Sequence, residues 1–485
     1  MSDINLSMPD SSSNGDEDKY QNRIASYSKC MPHNEFGEPD VAVYNTFIGA
    51  LNTGDYEAAD AIAVPGPIKL RNAFAGRAKI ITGSENDPKQ SPAAPTFASD
   101  VRAAEMIELY WASLMRDVKF AEYADSELVA AACAELNSVS GYNGNRGEDG
   151  SITPNNVLRG PTQGDVIGPY ISQFLLQDIP YGPITVEQKM NTYTLGENRD
   201  YMVTHEDWLN VQNSTGKPQT PYNTKRYPVN GRDLGILVAN DFATYPITNA
   251  LLMLSNKHSY HCPLDHTNPY NASDSQFGFV TLGYAEIYHA AGIILDSAYR
   301  KTYYDRWMVH KTIRPEEFAG RVHHQILNDR GYDMHEQVLT SEAVKRLHAQ
   351  QNTYMLSQVN AVGCPFHPSY PGGHGLSAGS SLTLLKAFVK EDFVIPNPVV
   401  PSADGSSLVP YEGPELTVGH ELDKLASNIA VGKQFAGAHW LSDTVVGMNQ
   451  GEAVAIEILG IMKATYAEPF AGFELTRFNG EKATV

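Results

Sequence analysis

The sequence predicts an all-α protein: one large domain of helix bundles with few short strands. Three observations carry this. Long segments place apolar residues at three- and four-residue steps, as Leu422, Leu425 and Ile429 do between 418 and 435. Strand signals are scarce and short. No repeat at a period of 20–50 residues stands out, which argues against a solenoid or a propeller. With 485 residues and a 42% hydrophobic fraction the chain can build one large shared core.

Residues 1–40 read as a flexible acidic arm, because Ser11-Ser12-Ser13-Asn14-Gly15-Asp16-Glu17-Asp18 is polar and lacks the apolar centre of a signal peptide. The helical domain is expected over 41–485. An apolar segment at 41–52 ends in the turn Asn52-Thr53-Gly54-Asp55, and 64–98 is rich in Pro, Gly, Ala and Ser and reads as loop. Ser99-Asp100 looks like an N-cap for a helix over 101–117, with Met106, Leu109, Tyr110 and Leu114 roughly on one side. A helix at 125–137 and a loop at 141–161 follow. Polar, turn-rich sequence fills 184–232. Apolar helices are expected at 233–255, interrupted at Pro246, and at 280–300. Further helices are expected at 341–360, 376–389, 418–435 and 443–463.

Composition excludes several function classes. A net charge of −20 and a pI near 5.1 argue against nucleic acid and against an anionic membrane surface as partners. No run of 18 apolar residues occurs, so no membrane-spanning helix is expected. Cys30, Cys133, Cys262 and Cys364 lie far apart without a Cys-x-x-Cys pair. That argues against a zinc cluster and leaves free thiols or up to two disulfides open.

The candidate chemistry lies in three stretches, within 300–320, 364–376 and 432–443. In Cys364-Pro365-Phe366-His367-Pro368-Ser369-Tyr370-Pro371-Gly372-Gly373-His374-Gly375, two prolines stiffen a loop and Gly372-Gly373 let the backbone approach a ligand closely. His374 is delivered to a helix N-terminus, where bare N–H groups and the positive dipole end favour an anion. Upstream, Arg306 precedes Arg314-Pro315. Downstream, Lys433 stands six residues before His439, and Asp443 four residues after it.

In this order and spacing the three stretches resemble the signature of vanadium-dependent haloperoxidases and the related acid phosphatases, closest to the bromoperoxidase branch known from algae and some bacteria. The resemblance implies a site for vanadate, or for phosphate in its place. Arg306, Arg314, Lys433 and the Gly373 N–H would hold the anion's oxygens. His439 would be the axial metal ligand, with Asp443 fixing its tautomer. His374 would be the acid–base group, and His367 a second histidine near the halide route. Asp241 would support the anion-binding cations. Hydrogen peroxide, a halide and a small organic acceptor are the implied partners, and a homo-oligomer the implied assembly. The chain departs from the family pattern at three positions: Arg306 for lysine, Lys433 for arginine and Gly372 for serine. A non-redox reaction on the same fold is therefore the alternative to halide oxidation. Restoring Gly372→Ser and Lys433→Arg is expected to tighten vanadate.

Overall fold

A computed structural model describes residues 12–78, 91–197, 199–239, 244–256 and 258–485. Asp241 lies outside them. Helices α1 (Asp16–Lys19), α2 (Val41–Thr53) and α3 (Tyr56–Asp60) open the chain. Next come α4 (Asp100–Met115), α5 (Glu127–Ser138), α6 (His205–Gln212), α7 (Gly231–Leu237) and α8 (Thr244–Ser255). The second half holds α9 (Tyr284–Tyr304), α10 (Pro315–Asn328), α11 (Glu336–Thr340), α12 (Glu342–Gln351), α13 (Gly373–Phe388), α14 (Val418–Phe435) and α15 (Leu441–Lys463). Among the described residues the strands form four two-stranded antiparallel ribbons, three residues to a strand. The expected helical class is the observed one.

Local chemistry sets the boundaries. The Ser99 side chain accepts the Arg102 N–H and starts α4, as its sequence predicts. Thr417 does the same for α14 through His420 N. The helix expected over 341–360 stops at Gln351, because Asn352 turns left-handed at φ 55° and its N–H closes on His348 O. Sequence analysis missed α10, although it carries Pro315 at its first position and Glu316 and Glu317 in its first turn. The helix expected to end near 300 runs to Tyr304 and continues as a π turn over Asp305–His310. Such wide turns recur at functional sites, and this one carries Arg306.

The core is built around α13, every residue of which is buried. It packs on α15 at very short range: a Cβ added to Gly379 would lie 2.1 Å from Met448 O, and one added to Gly451 would lie 2.2 Å from Leu376 O. By length and mean hydropathy, 1.2, α15 could cross a membrane. Its buried side is instead the contact with α13, as in a core helix. All four cysteines are free and buried, which closes the disulfide alternatives.

From Ser12 onward the segment expected to be a flexible arm behaves differently. Tyr20, Ile24, Tyr27 and Met31 recur at three- and four-residue steps and are buried. Lys29 forms a fully buried ion pair with Glu316 at 2.5 Å, and its ammonium donates to Val362 O and Cys364 O, each at 2.7 Å. Glu317 accepts the N–H groups of Ser28 and Lys29. Acidic composition hid this apolar stripe, which clamps the start of the loop leading to α13.

Candidate oxyanion-binding site

Three elements converge where α13 begins. The loop 364–372 enters α13 at Gly373, so His374 occupies its first turn, where N–H groups lack intrahelical partners. The π turn after α9 brings in Arg306, and Arg314 caps α10. His439 and Asp443 stand at the start of α15. A cavity of about 670 Å³ opens on them, lined by Arg306, His367, Gly373, His374 and His439 among others.

His439 is buried, and its Nδ1 lies 2.8 Å from Asp443 Oδ2. Its Nε2 lies 3.0 Å from Arg314 Nη1. A guanidinium only donates, so Nε2 accepts and Nδ1 carries the hydrogen to Asp443. Burial, followed by the charges of Arg314, Arg306 and Lys433, holds this imidazole well below its ordinary pKa and therefore neutral. Asp443 is fixed in turn: the same Oδ2 accepts the Ser369 hydroxyl, and also the Trp440 N–H at 3.1 Å. Burial raises its carboxyl above the usual range.

The two arginines differ. Arg314 directs its donors to protein acceptors: Nε to His367 O, Nη1 to Ala438 O and His439, and Nη2 to His367 Nδ1 and Pro368 O. It organises the two imidazoles rather than presenting an open fork. Arg306 donates Nε to Pro371 O at 2.8 Å, while its Nη2 is buried with no hydrogen-bond partner among the described residues. That nitrogen lies 3.1 Å from where a Gly373 side chain would begin. An unsatisfied buried donor is costly, and here it faces a helix N-terminus. Burial and Arg314 lower the Arg306 guanidinium to about 10, which still leaves it charged at neutral pH. The residues present therefore fit a tetrahedral oxyanion.

His367 lines the cavity, 5.7 Å from the Tyr303 ring. Burial and the two arginines hold its pKa well below the ordinary range. Lys433 is buried close by, but its ammonium donates to Ala239 O at 3.3 Å and it lines an adjoining cavity of about 200 Å³ that shares Arg71 and Pro365 with the first. Gly372 is closely packed. A Cβ there would lie 2.9 Å from Asp443 O, a backbone atom that already accepts the Gly372 N–H at 2.7 Å. A side chain at Gly372 would therefore require Asp443 O on α15 to shift, which opposes the gain of a donor expected from Gly372→Ser.

Sequence reasoning missed Ser369, Tyr299 and Tyr303. Tyr299 bonds Ser377, whose hydroxyl donates to Gly373 O, so it braces the first turn of α13. Asp296, Tyr299, Arg300 and Tyr303 all line the cavity at helical spacing, three residues short of Arg306. That stripe was the available signal. Arg159, on the stretch 158–176, bonds Asp165 O and stacks over Tyr170, a packing role.

Fold and site together are those of a helical protein whose cavity, with its buried arginine donor and two imidazoles, fits a tetrahedral oxyanion. A family model described as the VCPO second helical-bundle domain matches residues 300–468. The chain is 32% identical to the vanadium-dependent bromoperoxidase of Ascophyllum nodosum, over 94% of this chain and 86% of that protein. It is 29% identical to the vanadium-dependent bromoperoxidase of Corallina officinalis, over 96% of this chain and 93% of the other. The homohexameric structure of the second vanadate-dependent bromoperoxidase of Ascophyllum nodosum superposes with a TM-score of 0.90 at 28% identity, covering 99% of this chain and 87% of that one. The chain belongs to the vanadium-dependent haloperoxidase family.

Proposed function

We propose that the protein is a vanadate-dependent haloperoxidase. It oxidises bromide or iodide with hydrogen peroxide, taking halide, peroxide and one proton to a hypohalous acid and water, and the hypohalous acid halogenates a small organic acceptor. One observation carries the assignment of the site: the buried Arg306 Nη2 without a partner, beside Gly373 in the cavity that holds His374 and His439. When bound, vanadate supplies the Lewis acidity that activates peroxide toward halide. Arg306 and the N–H groups of the first turn of α13 would hold its oxygens, and His439 Nε2, its lone pair set by the Nδ1–Asp443 bond, would be the ligand to the metal. In this structure Arg314 donates to that same Nε2, a bond it would give up when the metal binds, while it keeps its bonds to His367 and Ala438 O. His374 takes a proton from peroxide and returns it to the departing oxygen. The relatives are bromoperoxidases, so the non-redox alternative is not favoured. By the same likeness the protein is a homo-oligomer, as the superposed Ascophyllum structure is homohexameric.

The test loads purified protein with orthovanadate and removes the excess. Stoichiometric vanadium, with bromination that requires peroxide and bromide and is suppressed by phosphate, is expected. Hydrolysis of phosphate monoesters without any vanadate-dependent bromination would overturn the assignment.

A further inference from the structure

We propose that Glu105 on α4, held by Arg102, is a positioning residue for His439. The inference rests on the reading of His439 as the metal ligand and names what sets its place. His439 stands just before α15, and its partner Asp443 stands in the first turn of that helix. The point and angle at which α15 begins therefore decide where the imidazole lies.

The start of α15 has no cap of its own for its second residue, Ser442. The N-cap position is held by Trp440, and an indole donates but offers no acceptor to the N–H groups of a first turn. Its ring nitrogen is in any case turned to Ile313 O at 2.9 Å. Asp443 is the acid of that turn, and its Oδ2 already serves His439, Ser369 and Trp440 N. The Ser442 N–H is taken instead by Glu105 Oε1 at 2.6 Å, a residue 337 positions away in sequence. A carboxylate at a helix N-terminus is favoured by the helix dipole, and here another helix supplies it.

Arg102 fixes that carboxylate. It stands one turn earlier on α4, and its Nη1 pairs with Glu105 Oε2 at 2.9 Å. Both side chains are buried. The Arg102 guanidinium also lies 4.1 Å from the centre of the Trp440 ring, inside cation–π range. Phe318 of α10 meets the same ring edge-on at 5.4 Å. The pair on α4 thus grips residues 440 and 442, which lie between His439 and Asp443. Through Ile313 O, Trp440 ties the same turn to the residue before Arg314. Apolar side chains often bury as stably as an ion pair, yet they could not accept the Ser442 N–H.

Calorimetric titration of the vanadium-free protein with orthovanadate and, separately, with phosphate tests this. Phosphate draws on Arg306 and the first-turn N–H groups of α13 but forms no metal–ligand bond to His439. Glu105→Ala should weaken vanadate by about tenfold, the lower end of the usual cost of losing a group behind a metal ligand, and leave phosphate within about twofold. Its circular dichroism should not change. Arg102→Met should separate the two anions in the same way. Glu105→Gln keeps an oxygen for Ser442 N and should fall between parent and alanine. Equal weakening of both anions would mean that Glu105 only supports the fold, and would overturn the proposal. Unchanged vanadate affinity in Glu105→Ala would overturn it too. Should that variant fail to fold, Glu105→Gln decides by the same comparison of anions. A parent that binds phosphate and holds no vanadate would overturn the haloperoxidase reading and this proposal with it.

Discussion

His439 and Asp443 share a 2.8 Å hydrogen bond between Nδ1 and Oδ2, and the carboxylate that makes it is held by Ser369 and Trp440 N. The bond fixes which imidazole nitrogen keeps a lone pair. Asp443→Ala should lower vanadate affinity by about 10- to 100-fold, the usual cost of losing a partner that orients a metal ligand. Vanadium remaining after dialysis measures it. Asp443→Asn should fall between parent and alanine. Unchanged retention in the alanine variant would show that the Nδ1 bond is not what orients the ring.

His374 stands in the first turn of α13, in the cavity with His439. His374→Ala should reduce halogenation by roughly 100-fold or more while vanadium content changes less. Initial rates across pH check this. A pH–rate profile with the same shape in parent and variant would remove His374 from proton transfer.

Gly372→Ser should destabilise the fold by about 1–3 kcal/mol, the common range for forcing atoms into a packed site. It should leave vanadate affinity equal or weaker, since the new Cβ presses on Asp443 O before any hydroxyl can serve the anion. Thermal melting and vanadate titration read the two effects. A tighter vanadate complex would mean that α15 gives way.

Much of the site was legible because its chemistry lies in three short stretches of unusual composition. His374, His439, Arg306, Arg314 and Asp443 lie together, as the resemblance to the family signature led one to expect. What sequence could not supply was direction. Nothing in the Arg314-Pro315 pair says that its guanidinium would turn to carbonyls and imidazoles, or that Lys433 would reach Ala239 O. Those choices belong to neighbours far along the chain. The same holds for the fold. Helices with caps and apolar periodicity, such as α4 and α14, were readable. The N-terminal clamp was not, because Lys29 finds Glu316 only after 286 intervening residues have folded.

Arg306 should therefore matter more to the anion than Lys433. Arg306→Met removes the donor beside Gly373 but keeps an extended apolar side chain. Loss of one hydrogen bond to a charged group costs about 1.5–3 kcal/mol, so vanadate and phosphate should each bind at least tenfold more weakly. Lys433→Met should have the smaller effect, since its ammonium is turned to Ala239 O. Calorimetric titration with phosphate reads this without turnover. The reverse order would return Lys433 to the anion's immediate contacts.

Glu108 gives a pH dependence of stability that is independent of catalysis. It lies buried on α4, where Oε1 accepts the Tyr142 hydroxyl at 2.8 Å and Oε2 accepts Gln434 Nε2 at 3.2 Å, next to Lys433 on α14. Burial is the main cause that raises its carboxyl from the ordinary 4.5 to about 8, and the neighbouring Glu105 adds to it. Between these two values the folded protein keeps a proton that the unfolded chain has released. Stability from this group is thus complete below about 4.5 and is lost as pH rises toward 8, at up to about 1.4 kcal/mol per pH unit. Glu108→Gln keeps the shape and one acceptor oxygen without a titrating proton. Its melting temperature should gain on the parent's steadily from pH 5 to pH 8. A difference that stays constant over that range would mean that Glu108 is already ionised in the folded protein.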